Sequence, residues 1–270
     1  MDKKRFGVQT AATLIQNANF KGFFTGRIYG GASKGVCVPG LNCYSCPGAV
    51  GACPVGSLQS FLSSRPVRLP YYVLGLLIFF GALLGRAVCG FLCPMGWLQE
   101  LVALLPFARN KKGFRGDKLL RRLKYAVLAL TVALPLIFAL TPFFCKYLCP
   151  AGTLSGILLV ISDAAVRPLF GGIFAWKAAV LAAVIAACLI VWRPFCKYLC
   201  PLGAIYGLFN RFALYRGQVD ADKCVHCARC AQVCRMGVEP QRDINSPECI
   251  RCGDCSRACP TGAIKMGFRR

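Results

Sequence analysis

The sequence predicts a mainly α membrane protein of four to six membrane helices carrying CxxxCPxG repeats, followed by a small C-terminal α+β domain. Three observations predict it. Of the 270 residues 56% are hydrophobic, and the mean hydropathy is +0.55, more than a water-soluble chain with a single core needs. Three long stretches carry little or no charge. The 19 cysteines fall into two kinds of repeat. One kind lies in residues 1–216, read as a membrane domain with cysteine motifs; the other fills residues 217–270, read as a separate domain.

Taken in order, the opening MDKKRFGVQTAATLIQNANF lacks the long apolar core and cleavage site of a signal peptide. It reads as an amphipathic helix on the cytoplasmic face, and the cysteines then read as metal ligands in a reducing compartment. Residues 30–60, rich in Gly and Pro, hold Cys37, Cys43, Cys46 and Cys53 and predict turns with short helix. Leu69 to Gly85 and Tyr125 to Phe144 are free of charge, and Pro168 to Trp192 is interrupted only by Lys177. Each could cross a hydrocarbon core that takes about 20 helical residues. Shorter apolar segments near 97–107, 151–166 and 202–215 decide the number of spans, three if all lie at the interface and six if all return.

FCKYLCPAG at Phe144–Gly152 recurs as FCKYLCPLG at Phe195–Gly203; CGFLCPMG at Cys89 is a third copy and ACPVG at Ala52 a degenerate fourth. Cysteines at i and i+4 share one side of a helical turn, so one pair offers two thiolates to one metal centre and two pairs offer four. Proline after the second cysteine suits the first position of a new helix. That cysteine becomes an N-cap at the positive helix end, which lowers a thiol pKa. The near-identity of the two FCKYLCP copies predicts that Cys145 and Cys149 join Cys196 and Cys200 in one further cluster. Cys89 and Cys93 then take two of Cys43, Cys46 and Cys53. Lys146 and Lys197 can offset cluster charge. Cys188, alone in AVIAACLIV, reads as packing. Tyr147 and Tyr198 read as interfacial anchors. Glu100 and Asp163, in apolar stretches, are the candidate proton acceptors, against the plainer reading of a solvated helix face.

Cys224 to Pro260 reads CVHCARCAQVC, then fourteen residues, then CIRCGDCSRACP. This CxxCxxCxxxC spacing, written twice, resembles bacterial two-cluster ferredoxins over residues 220–265. In those proteins the fourth cysteine of each run ligates the other cluster. The resemblance implies one [4Fe-4S] cluster on Cys224, Cys227, Cys230 and Cys259 and a second on Cys249, Cys252, Cys255 and Cys234. Arg235 stands where the first run usually has proline, a departure expected to shift a potential rather than lose a cluster. The rival reading is structural zinc on CxxC knuckles, for which four cysteines per run are more than enough. His226, the sole histidine, reads as a solvated surface residue.

The net charge of +23 resides mainly in residues 1–216, with 24 Lys and Arg against four acids. That fits positive-inside loops, anionic lipid and compensation of negative clusters. Without a basic stripe interleaved with stacking aromatics, nucleic acid is not an expected partner. There is no CxxCH for haem and no GxGxxG for a nucleotide cofactor.

GRAVCGFLCPMG, the two FCKYLCPxG copies and the double C-terminal run together resemble the membrane-bound polyferredoxin family of NapH-type and NosR-type proteins. The resemblance covers residues 30–265. It implies a multi-pass protein of the inner (cytoplasmic) membrane, with its ferredoxin domain in the cytoplasm, relaying electrons between a cytoplasmic donor or acceptor and a quinone or membrane redox partner. Expected partners are lipid, a flavoprotein, reductase or soluble ferredoxin, and a quinone. The chain departs from the family in having three CxxxCP motifs and extra cysteines near residue 40. Whether it is itself an enzyme stays open. A quinol dehydrogenase with its own quinone site and a copper-reducing assembly factor are the alternatives to a carrier.

Overall fold

The computed structural model describes residues 3–67, 69–106, 108–109, 116–138, 142–162 and 171–268. Helices α1 (Lys3–Gln16) and α2 (Phe20–Thr25) open the chain. A 3₁₀ turn over Ala32–Gly35 leads into the cysteine-rich loops. Then come α3 (Pro54–Ser63), α4 (Tyr71–Leu84), α5 (Ala87–Phe91), α6 (Pro94–Ala103) and α7 (Asp117–Phe138). A π-turn over Phe144–Leu148 precedes α8 (Pro150–Ser162), α9 (Gly172–Ile190), α10 (Pro194–Tyr198) and α11 (Pro201–Phe209). The C-terminal segment is framed by β1 (Tyr215–Val219) and β2 (Ile264–Phe268), antiparallel with Tyr215 opposite Phe268 and Val219 opposite Ile264. Between them lie α12 (Arg229–Val233), α13 (Pro240–Asp243) and α14 (Asp254–Ala258).

The expectation of four to six membrane helices is corrected. Among the described residues only α9 is long and apolar enough to cross a membrane; Tyr71–Leu84 and Pro150–Ile161 are apolar but shorter. The uncharged runs were longer than the helices they make. Gly85, at φ +54°, ends α4, because a left-handed backbone angle cannot continue a helix. In α7, 22 residues long, Asp117, Lys118, Arg121, Arg122 and Lys124 take up the first turns.

The amphipathic reading of the first helix also changes. α1 buries Arg5, Gln9 and Gln16 while Val8, Leu14 and Ile15 are exposed. Its buried side chains reach backbone: Arg5 donates to the carbonyl of Gly90 (2.9 Å), Gln9 to that of Cys93 (3.1 Å) and Gln16 to that of Leu92 (2.7 Å). These carbonyls lie where α5 gives way to α6, leaving orphan acceptors for α1 to satisfy.

The core is continuous from the helical part into the C-terminal segment. Val88, Trp192, Phe195 and Tyr206 belong to the same buried cluster as Met236, Val238 and Ile250, with Cys234, Cys249 and Cys252 packed against it. A smaller core of Cys230, Ile244, Cys255 and Ile264 lies under the sheet.

Candidate metal centre

Each CxxxCP motif folds as its chemistry requires. Cys53, Cys93, Cys149 and Cys200 are extended, with ψ between 109° and 126°, and each is followed by a proline that starts a helix, α3, α6, α8 or α11. A proline at the first helical position loses no hydrogen bond there and forces the cysteine before it out of the helix. The sulfur of Cys200 accepts the N–H of Gly203 at 3.4 Å.

The structure regroups the pairs that the repeat predicted. Cys145 and Cys149 do not meet Cys196 and Cys200; they line a cavity with Cys43 and Cys53. Cys196 and Cys200 instead stand against Cys89 and Cys93, close enough that each set raises the other's thiol pKa. Near-identity of two segments marks equivalent places in two sites, and the partner of each is the copy with a different sequence.

The Cys89, Cys93, Cys196, Cys200 site is held by an exchange of arginines. Arg86, just ahead of Cys89, donates to the carbonyl of Cys196 at 2.8 Å; Arg193, just ahead of Cys196, donates to the carbonyl of Cys89 at 2.6 Å. Gly96 and Gly203, the motif glycines, make room: a β-carbon on Gly96 would lie 2.9 Å from the Cys89 carbonyl and 3.0 Å from the Arg193 guanidinium. Gln99 then joins the halves, donating to the Cys196 sulfur at 3.0 Å and accepting the Phe195 N–H at 3.1 Å.

Electrostatics around this site are unbalanced. Arg5 (2.7 Å) and Arg193 (3.0 Å) share Glu100. Arg86 (2.9 Å) and Lys124 share Glu248. Each buried network holds two cations and one carboxylate, and the Nε donors of Arg5 and Arg193 have no acceptor among the described residues. Burying uncompensated charge costs several kcal/mol per ion, as an order of magnitude. A cluster bound by four thiolates is the negative group that would balance these cations.

Burial raises Glu248, but Arg86 and Lys124 outweigh it and hold the carboxyl below its usual range. The thiols go the other way, contrary to the N-cap expectation. Burial pushes Cys196 and Cys249 up to about 11 and Cys53, Cys149 and Cys255 up to about 12. Desolvation outweighs a single helix end, so these sulfurs ionise when a metal takes the proton's place.

In the C-terminal segment Cys224, Cys227, Cys230 and Cys259 line one small cavity of about 20 Å³. Cys234, Cys249, Cys252 and Cys255 line another of about 20 Å³, which Trp192 also touches. Both runs use the same backbone device: positive φ at His226 (51°) and Ala228 (56°) is matched at Arg251 (56°) and Gly253 (79°). His226 is exposed, in keeping with its surface reading. Cys227 is exposed as well.

The helical site and the second C-terminal site touch. Gly90 meets the carbonyl of Ile250, the residue after Cys249, and Arg86 donates to the carbonyl of Pro247 at 2.6 Å. Tyr206, wholly buried, donates to the carbonyl of Pro39 at 2.9 Å. Its phenol pKa is raised by burial first and then by Cys89, Cys93, Cys53 and Cys200, members of both helical thiol sets.

Other predicted residues stand as follows. Glu100 is buried and ion-paired rather than solvated. Asp163 lies outside the described residues. Lys197 pairs with Asp117 at 3.0 Å, and Tyr198, buried, is no interfacial anchor. Cys46 adjoins Ser155, while Cys37 donates to Ser57 at 3.5 Å. Sequence reasoning missed Arg86, Arg193, Gln59 and Gln99; the matching positions in GRAVC and WRPFC, and in CPVGSLQ and CPMGWLQ, were the available signal.

Among the described residues no group of three or more Cys, His, Asp or Glu is close enough to hold a single metal ion. Four thiols lining one cavity, as in the two C-terminal sets and in the set of Cys43, Cys53, Cys145 and Cys149, suit a cube with one thiolate at each iron corner. A zinc ion needs every sulfur at about 2.3 Å from one centre.

The comparisons with known proteins agree with that chemistry. A 4Fe-4S binding domain family matches residues 69–115, 125–167 and 173–217, each holding one CxxxCP pair, and a second 4Fe-4S binding domain family matches residues 243–265. The chain is 32% identical over 182 residues to the methylamine utilization ferredoxin-type protein MauN of Paracoccus denitrificans, covering 66% of this chain and 58% of that one. It is 31% identical to the ferredoxin-type protein NapH of Haemophilus influenzae (59% of this chain, 51% of that one) and 28% identical to the putative electron transport protein YccM of Escherichia coli K12 (56% and 42%). The chain thus spans about half the length of these three relatives. No solved structure matches. Fold, thiol sets and matches define a 4Fe-4S binding protein of ferredoxin type. The chain belongs to the polyferredoxin-like 4Fe-4S binding family. The matches over 69–217 also correct the expected fold class, because 4Fe-4S binding domains fill the middle of the chain, the part read as a bundle of membrane helices ahead of a ferredoxin domain.

Proposed function

We propose that the chain is an electron carrier in which a partner exchanges electrons at the exposed Cys224–Cys230 face and the protein conducts them inward. The observation that carries this reading is the direct contact of two cysteine-bearing segments, Gly90 of α5 against Ile250, with Arg86 bonded to both sides. Clusters bound to these thiol sets would supply one-electron transfer. The residues do the rest. Cys224, Cys227, Cys230 and Cys259 hold the outer site; Cys234, Cys249, Cys252 and Cys255 hold the inner one; Cys89, Cys93, Cys196 and Cys200 hold the next. Arg86 and Arg193 hold the segments in register and supply positive charge, and Trp192 and Ile250 keep water from between the last two sites.

A membrane location is part of the proposal. Only 17% of the apolar window of α9 is buried in the protein, and Ile173, Trp176, Ile185 and Ile190 are exposed along it. A helix so apolar and so uncovered suits lipid. The exposed Val8, Leu14, Ile15 and Phe24 of α1 and α2 suit the interface. The outer partner would be a flavoprotein, reductase or soluble ferredoxin on the cytoplasmic side, and the far partner a membrane redox protein or a quinone. The carrier reading is preferred to a quinol dehydrogenase because Glu100 is held by two arginines and is no free proton acceptor.

The test is anaerobic purification of the full chain, with iron and sulfide analysis and electron paramagnetic resonance during a reductive titration. The reading expects acid-labile sulfide and mutually coupled signals. Zinc without sulfide ends it. Cys93→Ser is expected to remove about four irons and leave the C-terminal signals in place.

A further inference from the structure

Cys43 and Cys53 lie ahead of every family match, yet the fold brings them to Cys145 and Cys149. All four line one cavity of about 610 Å³, with Lys34 and Lys177 on its walls. The site repeats the arginine-exchange site part by part. Gln59 accepts the Phe144 N–H at 3.1 Å and turns its amide toward the Cys145 sulfur at 4.0 Å, the task Gln99 performs for Phe195 and Cys196. Gly56 and Gly152 open the space: a β-carbon on Gly56 would lie 3.8 Å from the Cys145 sulfur, and one on Gly152 would lie 3.9 Å from the Cys43 sulfur.

Two differences separate the copies. Where Arg86 and Arg193 precede their cysteines, Gly40 and Pro142 precede Cys43 and Cys145. Gly40 packs against the Cys93 backbone, where a β-carbon would stand 2.9 Å from its Cα. The positive charge comes instead from Lys34, which donates to the Ala49 carbonyl at 2.6 Å, and from Lys177, 3.4 Å from the Gly152 β-position. The second difference is size. The two C-terminal thiol cavities measure about 20 Å³ each, whereas this one has the volume of a small-molecule pocket, about 300–1,000 Å³.

We propose that Cys43, Cys53, Cys145 and Cys149 hold a further [4Fe-4S] cluster, with Lys34 and Lys177 as its counter-charges, and that one side of it stays open to small molecules. The assignment rests on the carrier reading for its redox role, and it selects Cys43 over Cys46. Cys46 is absent from this cavity and lines a different, apolar groove with Trp97, Leu154 and Ser155. Gly40, three residues before Cys43, packs on the Cys93 backbone, so this site adjoins the arginine-exchange site.

The experiment uses the full chain, purified anaerobically. Cys43→Ser with Cys53→Ser is expected to lower the iron content by about four per chain and to remove one paramagnetic signal; Cys46→Ser and Cys37→Ser are expected to keep wild-type iron. In unmodified protein, iodoacetamide followed by mass spectrometry should leave Cys43 unlabelled while loaded and label it after iron removal. A short exposure to a ferrous chelator should take about four irons first, with that same signal. Iron content unchanged in the double variant, or Cys43 labelled in the loaded protein, overturns the site. Equal loss in Cys46→Ser overturns the choice of ligand. Uniform iron loss under the chelator overturns the open side. If wild-type protein holds no cluster at all, the carrier reading fails as well; if the other sites load and this one does not, only this inference falls.

Discussion

A β-carbon placed on Gly90 would stand 2.6 Å from the carbonyl oxygen of Ile250. No side chain fits there, and the carbonyl is backbone that cannot swing aside. Helix α5, at the residue after Cys89, and the loop after Cys249 therefore meet through main chain. Gly90→Ala is expected to keep wild-type iron but push these segments apart, weakening magnetic coupling between the two sites and slowing electron exchange between them. Unchanged coupling in the paramagnetic spectrum of the reduced variant would remove the contact from the conduction path.

Arg86 bonds Glu248, Pro247 and Cys196 at once. Arg86→Ala leaves Glu248 with Lys124 alone and the Cys196 carbonyl without its donor. Breaking a buried pair in this way costs about 3–5 kcal/mol, seen as a lower unfolding midpoint in denaturant. Arg86→Lys keeps the charge but lacks the planar fork, so it should recover only part of the loss. Full recovery would mean that charge alone matters.

Gln99 donates to the Cys196 sulfur. Hydrogen bonds to cluster sulfurs favour the more negative, reduced state and raise the potential. Gln99→Ala should lower one midpoint potential by something on the order of tens of millivolts, a tenfold change in equilibrium being about 59 mV for one electron. Iron content and the other potentials should not move. A loss of iron instead would make Gln99 a packing residue.

Glu100→Gln separates a structural role from a protonic one. Without the carboxylate, Arg5 and Arg193 lose the buried ion-pair partner they share, and α1 should loosen, seen as faster amide exchange over residues 3–16. Electron transfer between small-molecule donors and acceptors should keep its wild-type pH profile. A profile that loses a limb would restore Glu100 as a proton acceptor.

The grouping of the C-terminal cysteines was legible in the sequence, where Cys259 joins the first run and Cys234 the second, because the spacing of the doubled run carries it without tertiary information. The prolines after Cys53, Cys93, Cys149 and Cys200 likewise foretold the helix starts. Pairing was not legible. FCKYLCP written twice suggests a pair of like segments, yet Phe144 and Phe195 each seek a glutamine, Gln59 or Gln99, and those glutamines belong to the other kind of motif. Helix length was misread for a related reason. Apolar runs report burial or lipid contact but not continuity, and Gly85 cuts the first run while charges occupy the start of α7. The buried face of α1 was hidden because its polar residues answer carbonyls near Gly90, Leu92 and Cys93, which only the folded chain presents.

The exchange of Arg86 and Arg193 has a consequence for biosynthesis. Neither cysteine pair can be clasped until the other has been made, and Glu248, which Arg86 also needs, is translated later still. Iron that reaches the growing chain before Cys196 is made would meet only half of this site. Its loading must then follow the synthesis of Cys200, and a chain truncated before Cys196 should hold no cluster on Cys89 and Cys93.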